Sequence, residues 1–180
     1  MTIKINMGCG KRNFGKEWIH IDQASYDHID HKDIFNFPYE DVDLIYASHL
    51  IEYFNREEVI ELLKIWKSKL RQGGLLRLAV PDFESIASLY LSKKFELDSF
   101  LGPLYGKMQM NTDTIYHKTV YDFKSLKKLL NGIGFKNVKK WNHWDVAHGI
   151  FDDHSQAYLP HLDKTNGTLI SLNIEGTNIN

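Results

Sequence analysis

The stretch Ile3-Lys4-Ile5-Asn6-Met7-Gly8-Cys9-Gly10 decides the reading of the fold, together with the run that follows it, Trp18-Ile19-His20-Ile21-Asp22. An extended segment that stops at a glycine pair lets backbone approach a ligand closely. A carboxylate closing the next short apolar run can take both hydroxyls of a ribose. Side by side, the two runs predict a nucleoside-binding α/β domain that starts at the first residues.

Composition narrows the class. The 180 residues are 43% hydrophobic and 13% aromatic, enough for one core and too few for two full-sized domains, so residues 1–180 are expected to form a single domain. A formal charge of −1 gives no basic stripe and disfavours nucleic-acid partners. The single cysteine, Cys9, excludes an internal disulfide and suits a reducing cytoplasm; its expected role is that of a small packed residue. No leader-like segment and no run near the roughly 18 apolar residues of a membrane span is present, so a cytoplasmic protein without membrane partners is expected.

Outward from the opening, the elements alternate as in a mostly parallel sheet. Asp33-Ile34-Phe35-Asn36-Phe37-Pro38-Tyr39 reads as a short strand end running into a loop, because Pro38 cannot donate to a central ladder. Val42 to Ala47 is a compact apolar strand with Ser48 and His49 at its carboxyl lip. Val59, Leu62, Leu63, Trp66 and Leu70 carry helical spacing over Arg56 to Leu70, with Asn55 and Glu58 as a capping box and Gly73-Gly74 as the stop. A strand over Leu75 to Val80 ends at Pro81, and Asp82 caps a helix to about Leu91. A last helix runs from about Phe123 to Asn131 behind Asp122, followed by strands over Phe135 to Trp144 and Thr168 to Ile174. Two stretches, residues 92–121 and 145–167, lack periodicity. Their length predicts function, here as mobile covers of a pocket.

These motifs, with Asp33 before Phe-Pro-Tyr, Tyr46-Ala47-Ser48-His49-Leu50-Ile51-Glu52-Tyr53, Gly73-Gly74-Leu75-Leu76-Arg77-Leu78-Ala79-Val80-Pro81-Asp82 and Leu129-Leu130-Asn131-Gly132-Ile133-Gly134-Phe135, resemble the class I S-adenosylmethionine-dependent methyltransferases over about residues 1–141. The closing Ser171 to Glu175 resembles the last strand of small bacterial members. The resemblance implies a single-domain Rossmann-like fold: a mostly parallel central sheet, helices on both faces and a C-terminal antiparallel strand. It also implies S-adenosylmethionine as cofactor, with Gly8 and Gly10 against its methionine part, Asp22 on the ribose, Asp33 and the Ile34 amide at the adenine, and the lip at Ala47, Ser48 and His49 passing beside the sulfonium. One departure stands out. Only the eight residues Lys11 to Trp18 separate Gly10 from the second strand, so the first crossover helix must be shortened or missing, and Lys11 or Arg12 could meet the cofactor carboxylate in its place.

The implied reaction is methyl transfer to a small-molecule or glycan acceptor, with His49, His117 and Asp82 as candidate bases. Tyr105, Tyr116, Tyr121, Trp141 and Trp144 offer aromatic faces for such an acceptor. The nine histidines are scattered. His28 with His31, and Asp152-Asp153-His154, are the tightest groups, and without cysteine partners or an HExxH pattern no metal site is expected. Two other functions share these motifs. A catalytically silent S-adenosylmethionine-binding or scaffold protein would keep the glycines and acids without a base. A nicotinamide-dependent oxidoreductase would normally show Gly-x-Gly-x-x-Gly opening a helix, whereas the sixth position here is Asn13.

Overall fold

Three short strands come first in the chain, β1 (Lys4–Met7), β2 (Ile19–Ile21) and β3 (Val42–Ser48), and β1 runs parallel between the other two. The computed structural model describes residues 2–110 and 112–179. After β3 come α1 (Arg56–Lys69), β4 (Leu70–Pro81), α2 (Phe83–Leu91) and α3 (Asp98–Tyr105). A hairpin of β5 (Met108–Met110) and β6 (Asp113–Ile115) leads to α4 (Phe123–Ile133) and β7 (Lys136–Lys140). A second hairpin, β8 (Tyr158–Leu159) with β9 (Thr168–Leu169), precedes β10 (Ser171–Thr177). The central sheet has the order β2-β1-β3-β4-β10-β7, and only β10 is antiparallel to its neighbours.

Alternation along the strands sorts two faces. Ile5, Met7, Ile45, Ala47, Leu76, Leu78, Leu172 and Ile174 turn toward α1 and α4, which bury Val59, Leu62, Leu63, Trp66, Leu126 and Leu130 in return. Local chemistry fixes both helices. The Asn55 side chain accepts from the Glu57 and Glu58 amides while Glu58 accepts from the Asn55 amide, and Asp122 makes the matching box with Ser125. Helix α4 runs to Ile133 and stops at Gly134 in the left-handed region, two residues beyond the expected Asn131.

α1 and α4 cover this side, α2 and α3 gather around Ile86, Phe100 and Ile170, and turns of 3-10 helix lie on the opposite side. There Phe14, Trp18, Tyr46, Ala79 and Trp141 form a buried aromatic layer closed by Val146 and Phe151. Phe14 stacks on Phe151 with centroids 4.5 Å apart, and the Trp141 indole N–H donates to the Leu78 carbonyl at 3.1 Å. Residues 11–18 contain turns and no helix, as the short first crossover requires.

Several boundaries differ from expectation. Residues 33–39 form no strand; a single bridge, Ile21 to His31, is all that reaches the sheet edge. Gly73-Gly74 lie inside β4, at the irregularity where β3 and β4 shift register, and α1 ends before them at Lys69. The stretch 92–121 contains α3 and a hairpin, because Phe100 buries against Phe95 and Tyr90 despite the Gly102-Pro103 pair. Within 145–167, three-residue and four-residue 3-10 turns replace extended loop.

Candidate cofactor and acceptor site

The carboxyl ends of β1 and β2 meet at the glycine pair. Gly8 (φ +62°) donates its amide to the Ile21 carbonyl at 2.7 Å, and Gly10 (φ +54°) donates to Asp22 Oδ2 at 2.8 Å. Asp22 Oδ1 takes the Ala24 amide at 2.7 Å. Each carboxylate oxygen keeps a further acceptor position, as a ribose diol requires. A Cβ on Gly8 would come within 2.8 Å of the Leu50 methyls, whereas nothing lies within 4 Å of one on Gly10, so backbone there faces open space. The geometry fits the nucleoside part of S-adenosylmethionine: a carboxylate with spare lone pairs beside uncluttered glycine backbone.

His28 joins this end of the sheet in place of the metal pair considered with His31. Its Nε2 lies 3.1 Å from the Gly10 carbonyl and its ring stacks on Tyr26, while His31 turns to the Asn36 carbonyl at 2.7 Å. Cys9 is buried, and burial together with the Asp22 charge pushes its thiol up to about 12, so it is a packed thiol and not a nucleophile. Asp33 is exposed and caps a turn by accepting from the Phe35 and Asn36 amides. The Ile34 side chain sits in the core and its carbonyl accepts from the Trp66 indole at 2.9 Å. Ser48 is the last residue of β3.

Beyond β3 the chain turns sharply. His49 occupies the left-handed region (φ +51°) with its amide on the Ala79 carbonyl, which aims its ring out of the sheet. His49 and His117 line a cavity of about 870 Å³ whose wall also includes Arg12, His154, Phe95 and Tyr158. Residues 95–107 and 152–162 supply most of that wall, so both aperiodic stretches border the cavity. Arg12 Nε donates to the Asp152 carbonyl at 3.2 Å, tying the first crossover to this rim. Burial lowers the His49 imidazole well below its usual range, assisted by His154, His117 and Arg12, and burial likewise lowers His117. Both rings are neutral at pH 7.

Asp82 does not join them. It lies on a separate groove with Ser85 and Ser88, and its oxygens cap α2 by accepting from the Glu84 amide and the Ser85 hydroxyl. These two bonds meet the capping need of the first turn of α2. The aromatic candidates also disperse. Trp141 and Tyr121 are buried, while Tyr105, Tyr116 and Trp144 are exposed and do not line the cavity.

The residue that sequence reasoning missed is Glu52. It is fully buried behind His49 and His117, in the 3-10 turn Ile51–Tyr53, with Oε1 3.4 Å from His49 Nδ1 and 3.8 Å from His117 Nε2. The signal was an acid three residues after His49 inside an otherwise apolar run.

No protein-family model matches the chain, and no curated protein matches it in sequence. Solved structures do match it in shape. A S-adenosylmethionine-dependent methyltransferase of Archaeoglobus fulgidus is similar at a TM-score of 0.57 and 17% identity, covering 98% of this chain and 86% of that one. One of Methanosarcina mazei is similar at 0.55 and 15%, covering 98% and 92%. Human N-acetylserotonin methyltransferase, solved with S-adenosylmethionine, is similar at 0.56 and 14%, covering 97% of this chain and 47% of that one. With six strands in one mostly parallel sheet and an antiparallel β10, the chain has the fold of the class I S-adenosylmethionine-dependent methyltransferases.

Proposed function

We propose that the chain binds S-adenosylmethionine across the carboxyl ends of β1, β2 and β3 and transfers its methyl group to a small-molecule or glycan acceptor held in the cavity. The observation that carries this reading is the Gly10 amide on Asp22, at the same sheet end from which His49 projects into the cavity. Open α/β sheets bind ligands at that end. In this reading Asp22 holds the ribose, Asp33 and the Ile34 amide serve the adenine, and Ser48 lines the path to the acceptor. Arg12, on the cavity rim, suits the cofactor carboxylate and stands in for the missing helix N-terminus.

The cofactor supplies an activated methyl group, so the protein's work is to orient the acceptor, keep water out and move a proton. Neutral His49 and His117 are placed to do the last. The domain is taken to span residues 1–180, and its lone cysteine suits the cytoplasm; among the described residues no helix is long and apolar enough to cross a membrane.

Calorimetric titration with S-adenosylmethionine, S-adenosylhomocysteine and NAD tests the reading. Saturable binding of the first two and none of NAD is expected. Binding of NAD alone would return the chain to the oxidoreductases.

A further inference from the structure

Glu52 presents a polar problem that the fold leaves open. Neither carboxyl oxygen has a hydrogen-bond partner, although the side chain is fully buried. Its Oε1 lies within 4 Å of the two imidazole nitrogens already named, His49 Nδ1 and His117 Nε2. The far nitrogen of each ring faces an atom that can only accept. His117 Nδ1 lies 3.2 Å from the Pro103 carbonyl. His49 Nε2 lies 3.4 Å from Ser171 Oγ, whose own hydrogen goes to Asn173 Oδ1, while the Asn173 amide donates to the Ser155 carbonyl. A neutral imidazole carries one N–H, and these partners place it on His117 Nδ1 and His49 Nε2. Both nitrogens turned to Glu52 are therefore lone pairs. An ionised carboxylate would face them with nothing to share, whereas a carboxylic acid offers the one hydrogen they need.

We propose that Glu52 is the proton-holding positioning residue of this site, protonated at rest and, when ionised, receiving through His49 the proton of a neutral hydroxyl acceptor. The role rests on the methyltransferase reading. When Glu52 loses its proton, His49 answers by carrying its hydrogen on Nδ1, toward the carboxylate, which leaves Nε2 as a base. The acceptor hydroxyl then gives its proton to Nε2 while the Nδ1 hydrogen passes to Glu52. The acceptor oxygen bonds the methyl carbon, and the electron pair of the breaking carbon–sulfur bond stays on sulfur. The negative charge of Glu52 and the positive charge of the sulfonium disappear together, so no charge is left buried. A carboxylate acceptor would have no need of this device; a hydroxyl does.

Burial raises Glu52 to about 8, which agrees with a resting acid that ionises within reach of neutral pH. The surrounding groups titrate elsewhere. Burial and the Glu52 charge push Tyr53 up to about 12 and Tyr121 higher still, and His154 is driven down by burial and Arg12. Lys118 turns away to Glu58.

The test is a titration of the ligand-free protein from pH 6 to 10, following glutamate carboxyl carbons and imidazole nitrogens by NMR. At pH 6 the Glu52 carboxyl should be protonated, with His49 and His117 neutral and carrying hydrogen on Nε2 and Nδ1. All three groups should then shift together between about pH 7 and 9. In Glu52→Gln, whose amide can donate to both lone pairs, the histidine shifts in that window should vanish. A Glu52 carboxyl already ionised at pH 6, or histidine shifts unchanged in Glu52→Gln, would overturn the proposal. The wild-type titration decides alone if the variant does not fold. Because no cofactor is used, a failure here leaves S-adenosylmethionine binding untouched; failure to bind it in calorimetry would instead remove the methyl-transfer step and the role given to this proton.

Discussion

The Gly10 amide donates to the Asp22 carboxylate at 2.8 Å, so the turn after β1 and the end of β2 hold each other without the helix that usually links such strands. Both glycines of this turn have positive φ, but for different surroundings. Gly10→Ala meets open space and should cost about 1 kcal/mol of left-handed strain alone. Gly8→Ala adds a collision with the Leu50 methyls at 2.8 Å and should cost more, with the excess removed in a Leu50→Ala background. Urea unfolding of the single and double variants measures both.

His148 is packed among Phe14, Trp18, Tyr46 and Trp141, with the Arg77 guanidinium 3.0 Å from its Nε2. Burial first, then Arg77 and Lys4, lower it from 6.5 to about 3. The unfolded chain binds a proton below about pH 6.5 that the folded chain refuses, so stability present above that pH is lost as pH falls toward 3. His148→Gln should flatten this acid limb, on the order of 2 to 4 kcal/mol between pH 6.5 and 4. Thermal unfolding across that range would show it.

Glu52 has the opposite slope. Its folded value of about 8 lies above the ordinary 4.5, so the folded chain keeps a proton that the unfolded chain releases, and stability declines as pH rises from 4.5 to 8. Relative to wild type, Glu52→Gln should gain on the order of 3 kcal/mol between pH 5 and 8. A gain from removing a residue of the proposed site is the usual sign of function held against stability.

Tyr46 donates to Asp153 Oδ2 at 2.5 Å across 107 positions, pinning the 3-10 turns to the sheet. Tyr46→Phe leaves that buried oxygen without the hydroxyl and should cost about 1 to 3 kcal/mol. Hydrogen exchange should quicken over residues 145–157 and not in β1, β3 or β4. Residues 92–121 should exchange faster than the sheet already in the wild type.

Much of this was legible because it is local. The extended opening that stops at Gly8, the Asn55–Glu58 box, the cap at Asp82 and the short run from Lys11 to Trp18 all act within a few residues. Gly8, Gly10 and Asp22 do converge as the motif order implied. What the chain hides is distant pairing. Glu52 and His117 are 65 positions apart and meet only because the hairpin of β5 and β6 folds back, and the aromatic face needs Phe14, Tyr46 and Phe151 together. Helix α3 was masked by Gly102-Pro103, whose local preference yields to burial of Phe100. Asp82 caps α2 as expected and lies on a groove apart from His49 and His117, a separation set by tertiary packing that the sequence does not show.

The central claim is that Asp22 and the glycine turn hold S-adenosylmethionine. Calorimetric titration of S-adenosylmethionine into the wild type and Asp22→Ala tests it most directly, with far-ultraviolet circular dichroism confirming that both are folded. Loss of the charged ribose acceptor should weaken binding roughly 30- to 150-fold, or about 2 to 3 kcal/mol. Equal affinity in a folded Asp22→Ala variant would contradict the account.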